Sequence, residues 1–463
     1  MSLQRPGIYI STWRVCLGIA MLAFLAVGQI NAAEIPAFPS AEGFGSTTPG
    51  GRGGKVLFVT NLNDKGPGSL REAIATEGPR IVVFRVAGTI VLNKTLRIKQ
   101  PFITIAGQTA PGGGIALRNA LTNKEAALII ETHDVVIRYL RVRPGPCEGK
   151  SAVIDAVGIE HGACDVVLDH CSLSWSVDET LQFWGDPHDV TAQWCFITEA
   201  LHKSVHPLGA HGKSLLLGSK GGKNYSIHHN LLAHNDERNP RVGMSGLADF
   251  VNNVIYNHDV AGHVTDDYTL QTLNYVGNFV KRGPHSSTRP PVPMSSRYEL
   301  FCWPKGGYGF SLYVKGNIGP HRPSEDLPED AVVRPRDRKY VTPDRHDAPQ
   351  VTTHTAAEAY ELVLKQAGAT LPKRDAVDER IVREVRTGTG QIVNHPDDVG
   401  GWPTLEAGTP PIDADNDGMP DAWETKHQFD PSDPSDNNAD QDGDGYTNIE
   451  EFLNDTDPRN GKE

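Results

Sequence analysis

The chain has 463 residues, 38% of them hydrophobic and only 7% aromatic, with 47 glycines and 33 prolines. That balance can bury a large core, excludes a helical bundle and points to a turn-rich, mostly β protein. The net charge of −13 resides in the tail, since residues 411–463 carry 16 acids and 3 bases while the rest carry 41 of each. A near-neutral body excludes a nucleic-acid surface and does not repel an anionic polymer.

The N-terminal segment contains Arg5 and Arg14 and no acid, then an apolar run from Val15 to Val27, then Gly28-Gln29-Ile30-Asn31-Ala32-Ala33. This order predicts a secretory signal peptide over residues 1–33, cleaved after Ala32 or Ala33. The run is shorter than the ~20 residues a spanning helix requires, and no later segment could span a bilayer. The expectation is therefore a secreted protein with no membrane contact after cleavage. Export leaves Cys147, Cys164, Cys171, Cys195 and Cys302. Cys171 and Cys195 fall at matching places in successive repeats, which favours stacked interior thiols over a bridge.

Ser69-Leu70-Arg71-Glu72 has the Ser-x-x-Glu pattern of a capping box, so a short helix is expected to cover the N-terminal end of the fold. From Val135 the chain repeats: Val-Val-Ile-Arg-Tyr-Leu, then Val-Val-Leu-Asp-His-Cys from Val166 and Val-Thr-Ala-Gln-Trp-Cys from Val190. Tyr-Ser-Ile-His-His-Asn follows from Tyr225, Asp-Phe-Val-Asn-Asn from Asp249, and related segments end at Asn278 and Asn317. The shortest steps, ~23–25 residues, mark a solenoid of short strands. Asn230, Asn253, Asn278 and Asn317 recur at the strand-to-turn corner, where asparagine tolerates left-handed backbone and can hydrogen-bond its counterpart one coil away. The predicted architecture is an all-β, right-handed parallel β-helix with a short N-terminal capping helix, occupying residues 34–404.

After Asn317 the repeat fades into a charged, proline-rich stretch, Pro320 to Pro349, read as a loop or strap. Ala359, Leu362, Val363 and Ala367 have helical spacing within Thr355–Gly368. The segment around Arg374-Asp375-Ala376-Val377-Asp378 is expected to form a C-terminal cover, and residues 405–411 a linker. Residues 412–463 read as a small calcium-binding module. Asp413, Asp415, Asp417, Gly418, Asp421 and Glu424 occupy loop positions 1, 3, 5, 6, 9 and 12 of the EF-hand pattern, and Asp440, Asp442, Asp444, Gly445, Asn448 and Glu451 repeat it. Pro410-Pro411 excludes an ordinary entering helix, so the module resembles dockerin or thrombospondin type 3 repeats, and a cell-surface or scaffold partner is expected for it.

Several separated motifs between Phe38 and Asn317 resemble those of the pectate lyases of polysaccharide lyase family 1. They are Gly43-Phe44-Gly45, Gly50-Gly51-Arg52-Gly53-Gly54, Val59-Thr60-Asn61-Leu62, Gly66-Pro67-Gly68-Ser69-Leu70-Arg71, Ile105-Ala106-Gly107-Gln108, Val167-Leu168-Asp169-His170-Cys171-Ser172 and Asp236-Glu237-Arg238-Asn239-Pro240-Arg241-Val242. The resemblance implies a secreted, Ca2+-dependent enzyme that cleaves pectate (polygalacturonan) by β-elimination. Calcium would bridge protein and substrate carboxylates and so acidify the C5 proton. It further implies Arg238 as the catalytic arginine, with Arg241 and Lys213 holding the substrate. The calcium ligands would be Asp155, Asp178 and, four residues beyond the latter, Gln182, an uncharged donor that Glu179 could assist. The family's further arginine, two residues after Arg241, is Gly243 here. Arginine as a base conflicts with its usual pKa above ~12.

Asp169 and His170 read as structural hydrogen-bonding residues, and His202, His206 and His211 as groove-lining, since no HExxH motif or cysteine pair accompanies them. A pectin lyase would not need Asp155 and Asp178. A polygalacturonase would use paired carboxylates to add water, and the adjacent pair here, Asp266-Asp267, lacks the glycine and the Gly-His-Gly that family carries. A non-catalytic β-helix adhesin would explain the repeats and the calcium loops but not Arg238-x-x-Arg241 with Lys213.

Overall fold

The structure is a computed structural model that describes residues 35–149, 152–288 and 298–461, so the signal-peptide reading of residues 1–33 lies outside the described residues. The chain winds as a right-handed parallel β-helix with three parallel sheets, one of ten strands and two of eight. The ten-stranded first sheet runs from Lys55–Val59 to Phe310–Lys315. The second runs from Gly88–Leu92 to Phe279–Lys281, and the third from Leu96–Ile98 to Leu300–Trp303. Strand pairing is in register from coil to coil, for example Val166↔Val190 and Val190↔Tyr225 in the first sheet. Alternation along each strand therefore sends columns of Val, Ile, Leu and Phe into one continuous interior.

At the corner after the first sheet, Asn230 donates from its backbone N and its Nδ2 to Asn253 Oδ1 at 3.0 and 2.9 Å. Asn253 does the same to Asn278, and Asn278 to Asn317. The column starts with sulfur: Cys195 N donates to Asn230 Oδ1 at 2.8 Å, and Cys171 N to Cys195 Sγ at 3.4 Å. All five described cysteines are free. The left-handed residue at this corner is the one before the ladder: His170, Trp194, His229, Asn252, Gly277 and Gly316 all have positive φ. This corrects the expectation that the ladder asparagines themselves adopt that conformation. Their neighbours turn the chain, which leaves the asparagine amides aimed inward. Several left-handed residues also stack, Tyr139 on His170 at 4.9 Å and Trp194 on His229 at 4.3 Å.

Asp169 and His170 serve this corner. Buried Asp169 accepts from His170, Arg138 Nε and Gln193 Nε2, and these partners outweigh its burial and hold its carboxyl far below the usual range.

The N-terminal helix, Leu70–Ala75, starts at Ser69, whose hydroxyl accepts from Glu72 N, and Leu70, Ala73 and Ile74 enter the interior at the open end of the coil. Glu72 reaches back to Gly68 N at 2.7 Å. At the other end Val332, Val333, Tyr340 and Val341 pack against the interior, with bridges Leu300↔Val333 and Leu312↔Val341. The helices Ala356–Gln366 and Ala376–Thr387 lie on the flank, where Val363, Leu364, Val377, Ile381 and Val385 pack on Phe196, Leu231, Val254 and Tyr256 of the second sheet. Thr355 forms a capping box with Glu358 at the start of the first of these helices. Arg143 anchors the second helix through Asp375 and Asp378. Among the described residues no helix is long and apolar enough to cross a membrane.

Residues 412–461 belong to the same compact unit as the coil. Met419, Trp423, Ile449, Phe452 and Leu453 pack on Val56, Phe58, Ile81 and Val83, the outer face of the first two strands, flanked by Arg52–Glu450 and Arg85–Asp413 ion pairs at 2.9 and 2.5 Å.

The ladder carries a definite cost. Asn253→Ala removes the Oδ1 that accepts the buried Asn230 backbone N–H and the Nδ2 that donates to Ile227 O, while the backbone N–H at 253 still reaches Asn278 Oδ1, and it is expected to destabilise the fold by about 3 kcal/mol. Denaturant unfolding of the full chain measures this, and an unchanged midpoint would remove the ladder as a stabilising element.

Candidate active site

The register of the third sheet assembles a charged row. Glu179 pairs with Lys213 and Lys213 with Glu237, and Asp155 continues the row because Val157 pairs with Leu181. Asp155 and Asp178 precede equivalent strands one coil apart, and both are tied to the neighbouring turn: Glu179 N donates to Asp155 Oδ1 at 2.9 Å, and Asp178 N to Ile154 O at 3.1 Å. The carboxylates of Asp155, Asp178 and Glu179 place one oxygen each within 4.8 Å of one another. Burial, then Asp178 and Glu160, push the Asp155 carboxyl well above its ordinary range. Burial opposes ionisation of Asp178 too, but His211 Nε2 at 2.7 Å, Arg238 and His206 outweigh it and leave its carboxyl lowered. Three converging, mostly buried oxygen donors suit a hard cation such as calcium. Gln182 lies on the same strand and donates its amide nitrogen to Glu160 Oε1 at 3.2 Å, a bond that spares the oxygen a cation would take.

Arg238 enters from two coils beyond Glu179 in a left-handed conformation, φ 63°, the same one the corner residues His170, Trp194 and His229 adopt. Its Nη1 lies against Glu179 Oε1. Burial and then Arg241 push the guanidinium down to about 10, against the opposing pull of Asp178 and Asp155. A guanidinium lowered in this way gives up its proton more readily than a free arginine. Lys213 Nζ pairs with Glu237 Oε2 at 2.6 Å, and Arg241 Nη2 with Asp267 Oδ2 at 3.1 Å. His263 stands beside Arg241 in the register, buried, and burial with Arg241, Arg238 and Lys213 around it drives its imidazole well below the usual range. Asp266 is consumed by structure, accepting the backbone N–H groups of Lys305, Gly306 and Gly309.

The sequence missed Glu237, Asp267, His263 and the grip of His211 on Asp178. His211 reaches Asp178 across an inserted loop, and Glu237 and Asp267, though 24 and 26 residues from Lys213 and Arg241, pair by side-chain direction, which the repeat does not record.

The tail forms a second constellation. Asp413 accepts from Asn416 and Gly418 N, and Asp440 from Gly443 and Gly445 N, so the two loops share one backbone pattern. Gly418 and Gly445 have φ of 102° and 103°, which the turn requires and a side chain would resist. Among buried atoms with no hydrogen-bond partner are Asp415 Oδ2, Asp417 Oδ2 and both oxygens of Glu424 in the first loop, with Asp436 Oδ1 from the segment that follows it. The second loop has Asp442 Oδ2, Asn448 Oδ1 and Glu451 Oε2. Asp421 Oδ1 accepts from Ala414 N at 2.8 Å, and Asp444 Oδ1 from Tyr446 N at 2.8 Å. Asp436, which clusters with Asp417 and Glu424, was not legible as a loop position. Burial, then neighbouring acids, push Asp417 and Glu424 up to about 7 and about 8; Glu451 reaches about 7, through burial and then nearby Asp444 and Asp442.

No protein-family model matches the chain. It is 34% identical over 451 residues to probable pectate lyase C of Aspergillus fumigatus, covering 95% of this chain and 98% of that one. The corresponding protein of Emericella nidulans is 33% identical over 450 residues, covering 94% and 96%. Alignments of that extent run into the acidic tail. Among solved structures, a thermostable pectate lyase has the same fold, with a TM-score of 0.52 at 15% identity, covering 72% of this chain and 97% of that one.

The raised carboxyls of the tail set a pH dependence. Their folded-state values exceed the unfolded ones, so without a metal the folded tail holds more protons than the unfolded one. Its stability in chelating buffer is expected to be greatest on the acid side and to fall as pH rises through about 7 to 8. Limited proteolysis of the full chain between pH 5 and 9 reads this as increasing cleavage within 412–461. Cleavage that is flat or decreasing across that range would contradict it.

Proposed function

The chain belongs to the pectate lyase family of polysaccharide lyases, and from that premise we propose that it is a secreted, calcium-dependent pectate lyase acting on (1→4)-α-D-galacturonan by β-elimination. The observation that carries the reading is the convergence of Arg238 with Asp155, Asp178 and Glu179 on the outer face of the third sheet, with Lys213 and Arg241 on adjoining coils. Elimination breaks the C5–H and C4–O bonds and forms a C4–C5 double bond. The proton goes to a base, and the C4 electron pair leaves with the glycosidic oxygen.

Asp155, Asp178 and Glu179, with the Gln182 amide oxygen, would hold the calcium. Once bound, the ion supplies positive charge against the uronate carboxylate beside the breaking C5–H bond. Lys213 and Arg241 bind substrate carboxylates, exchanging Glu237 and Asp267 for them. Arg238 stands where the C5 proton leaves. Burial has already weakened its hold on its own proton, so its neutral form can accept one at alkaline pH. His211 and His206 hold the Asp178 carboxylate in place.

In the tail, Asp413, Asp415, Asp417, Asp421 and Glu424, joined by Asp436, form one calcium site, and Asp440, Asp442, Asp444, Asn448 and Glu451 a second. The buried unpartnered oxygens of Glu424 and Glu451 support both. Because Asp413 and Glu450 also pair with Arg85 and Arg52, these ions would lock the segment onto the first coils. A polygalacturonase is disfavoured by the engagement of Asp266 and Asp267 in structural contacts.

Absorbance of the unsaturated uronate on polygalacturonate, with and without calcium, tests the activity. Reducing ends without that absorbance would indicate a hydrolase. Arg238→Lys is expected to lower kcat by roughly 10² to 10³ with the fold intact, since lysine keeps the charge but loses the planar fork. In the wild type, kcat should climb about tenfold per pH unit toward about 10, the value at which Arg238 loses its proton. A flat profile would exclude Arg238 as the base. Asp178→Ala should shift the calcium titration to higher concentration, and an unchanged titration would displace Asp178 from the ligand set.

A further inference from the structure

One residue beyond the inward row Phe183, Leu217, Val242, Val264 and Cys302, the third sheet carries an outward strip of Trp184, Gly218, Gly243, Thr265 and Trp303. Its middle is closed in, with Thr265 fully buried. A Cβ at Gly243 would lie 2.3 Å from Thr265 Oγ1 and 2.6 Å from Asp267 Oδ2. Its ends are tryptophans, 47% and 56% exposed. A single exposed aromatic ring needs no explanation, but two on one strip, alongside the cationic row, do.

The surroundings of Trp303 are built and rigid. Asp266 gathers the N–H groups of Lys305, Gly306 and Gly309 at 2.6, 3.0 and 2.9 Å, which fixes the loop that follows the strand. Lys305 is thereby held with its Nζ 5.8 Å from the Trp303 ring centroid and 3.7 Å from Asp267 Oδ1. The other Asp267 oxygen takes Arg241 Nη2 and Thr265 Oγ1. Asp267 therefore spaces two cations that would otherwise repel, one in the candidate active site and one outside it. Trp303 lies two strands and two residues from Arg241, ~12 Å away on the diagonal of the sheet.

We propose that Trp303 and Lys305 form an outlying subsite for a uronic acid residue of the same polymer, with the indole face against the pyranose ring and the ammonium on its carboxylate. The proposal rests on reading the groove as galacturonan-binding and adds to it a determinant of chain length. Only an oligomer long enough to extend from Arg241 across two coils gains the contact. The ring supplies apolar area with little loss of conformational freedom, and the ammonium adds charge selection that salt screens.

Trp303→Ala is expected to raise KM for polygalacturonate and long oligogalacturonates about 3- to 10-fold with kcat unchanged, and to leave the shortest cleaved oligomer unaffected. Trp303→Phe should restore most of the loss. Lys305→Met should act in the same direction and blunt the dependence of KM on sodium chloride. An equal KM at every length, or an equal rise at every length, would overturn the subsite. If the wild type yields no unsaturated product, calorimetric titration with a galacturonate octamer still decides. A 3- to 10-fold weaker Kd in Trp303→Ala supports the subsite, and equal affinity, or no binding by the wild type, refutes it.

Discussion

Every feature of this molecule depends on coil-to-coil register in a parallel stack. A slip of one residue in any coil would turn its interior side chains outward and scatter the charged row. The asparagine column resists such a slip, because each amide both donates to and accepts from its neighbours and finds its partners in one register only. Where cysteines replace asparagines, at Cys171 and Cys195, the column continues with weaker sulfur acceptors. Register there is helped by the ion pair and stacked rings around Asp169 and His170.

From that register follows the electrostatic character of the site. Asp155, Glu179, Lys213 and Glu237 occupy one row, and Arg241 and His263 another, so opposite charges meet at strand spacing on a wall that cannot relax away from them. Crowding of carboxylates raises Asp155, and crowding of cations lowers Arg238 and His263, each with burial as the larger cause. A positive charge beside the acids and a negative charge beside the bases would relieve both kinds of crowding at once. The fixed frame means that little reorganisation is needed when they arrive.

The repeating part of the fold was legible because a solenoid writes its period into the sequence: the Val-rich strands and the corner asparagines are the same signal read at each coil. The helix after Ser69 and the one after Thr355 were legible through their caps. Within the site, Arg238, Arg241, Lys213, Asp155 and Asp178 were found as family motifs, and the structure brings them together. Of the partners that hold them, none of which was found, His211 lies across an insertion whose length the period does not fix, whereas Glu237 and Asp267 stand about one ordinary repeat from Lys213 and Arg241, 24 and 26 residues away, where spacing alone does not say which side chains pair. Asp436 escaped for a related reason: it approaches Glu424 from the segment between the two loops, outside the loop positions that the spacing marks. The left-handed corner was misplaced by one residue, since tolerance of positive φ is shared by Asn, Gly and, at this corner, even Trp194.

The tail makes its contacts with the coil itself. Met419 and Ile449 lie under the same apolar cluster as Ile81 and Val83, so removing the segment would expose the outer face of the first strands. Asn454 reaches further, accepting from Arg138 Nη1 at 2.6 Å, while Arg138 Nε holds Asp169 of the corner column. The last helix is thus joined through one guanidinium to the buried ion pair that steadies the coils preceding Asp178. Crowded carboxylates with unpartnered oxygens lie behind this attachment, whereas the asparagine ladder and the apolar interior contain no such crowding. The division is a physical one: neutral hydrogen bonds and apolar area hold the stack, and charge, in the groove and in the tail alike, is placed where an ion or a polyanion can neutralise it.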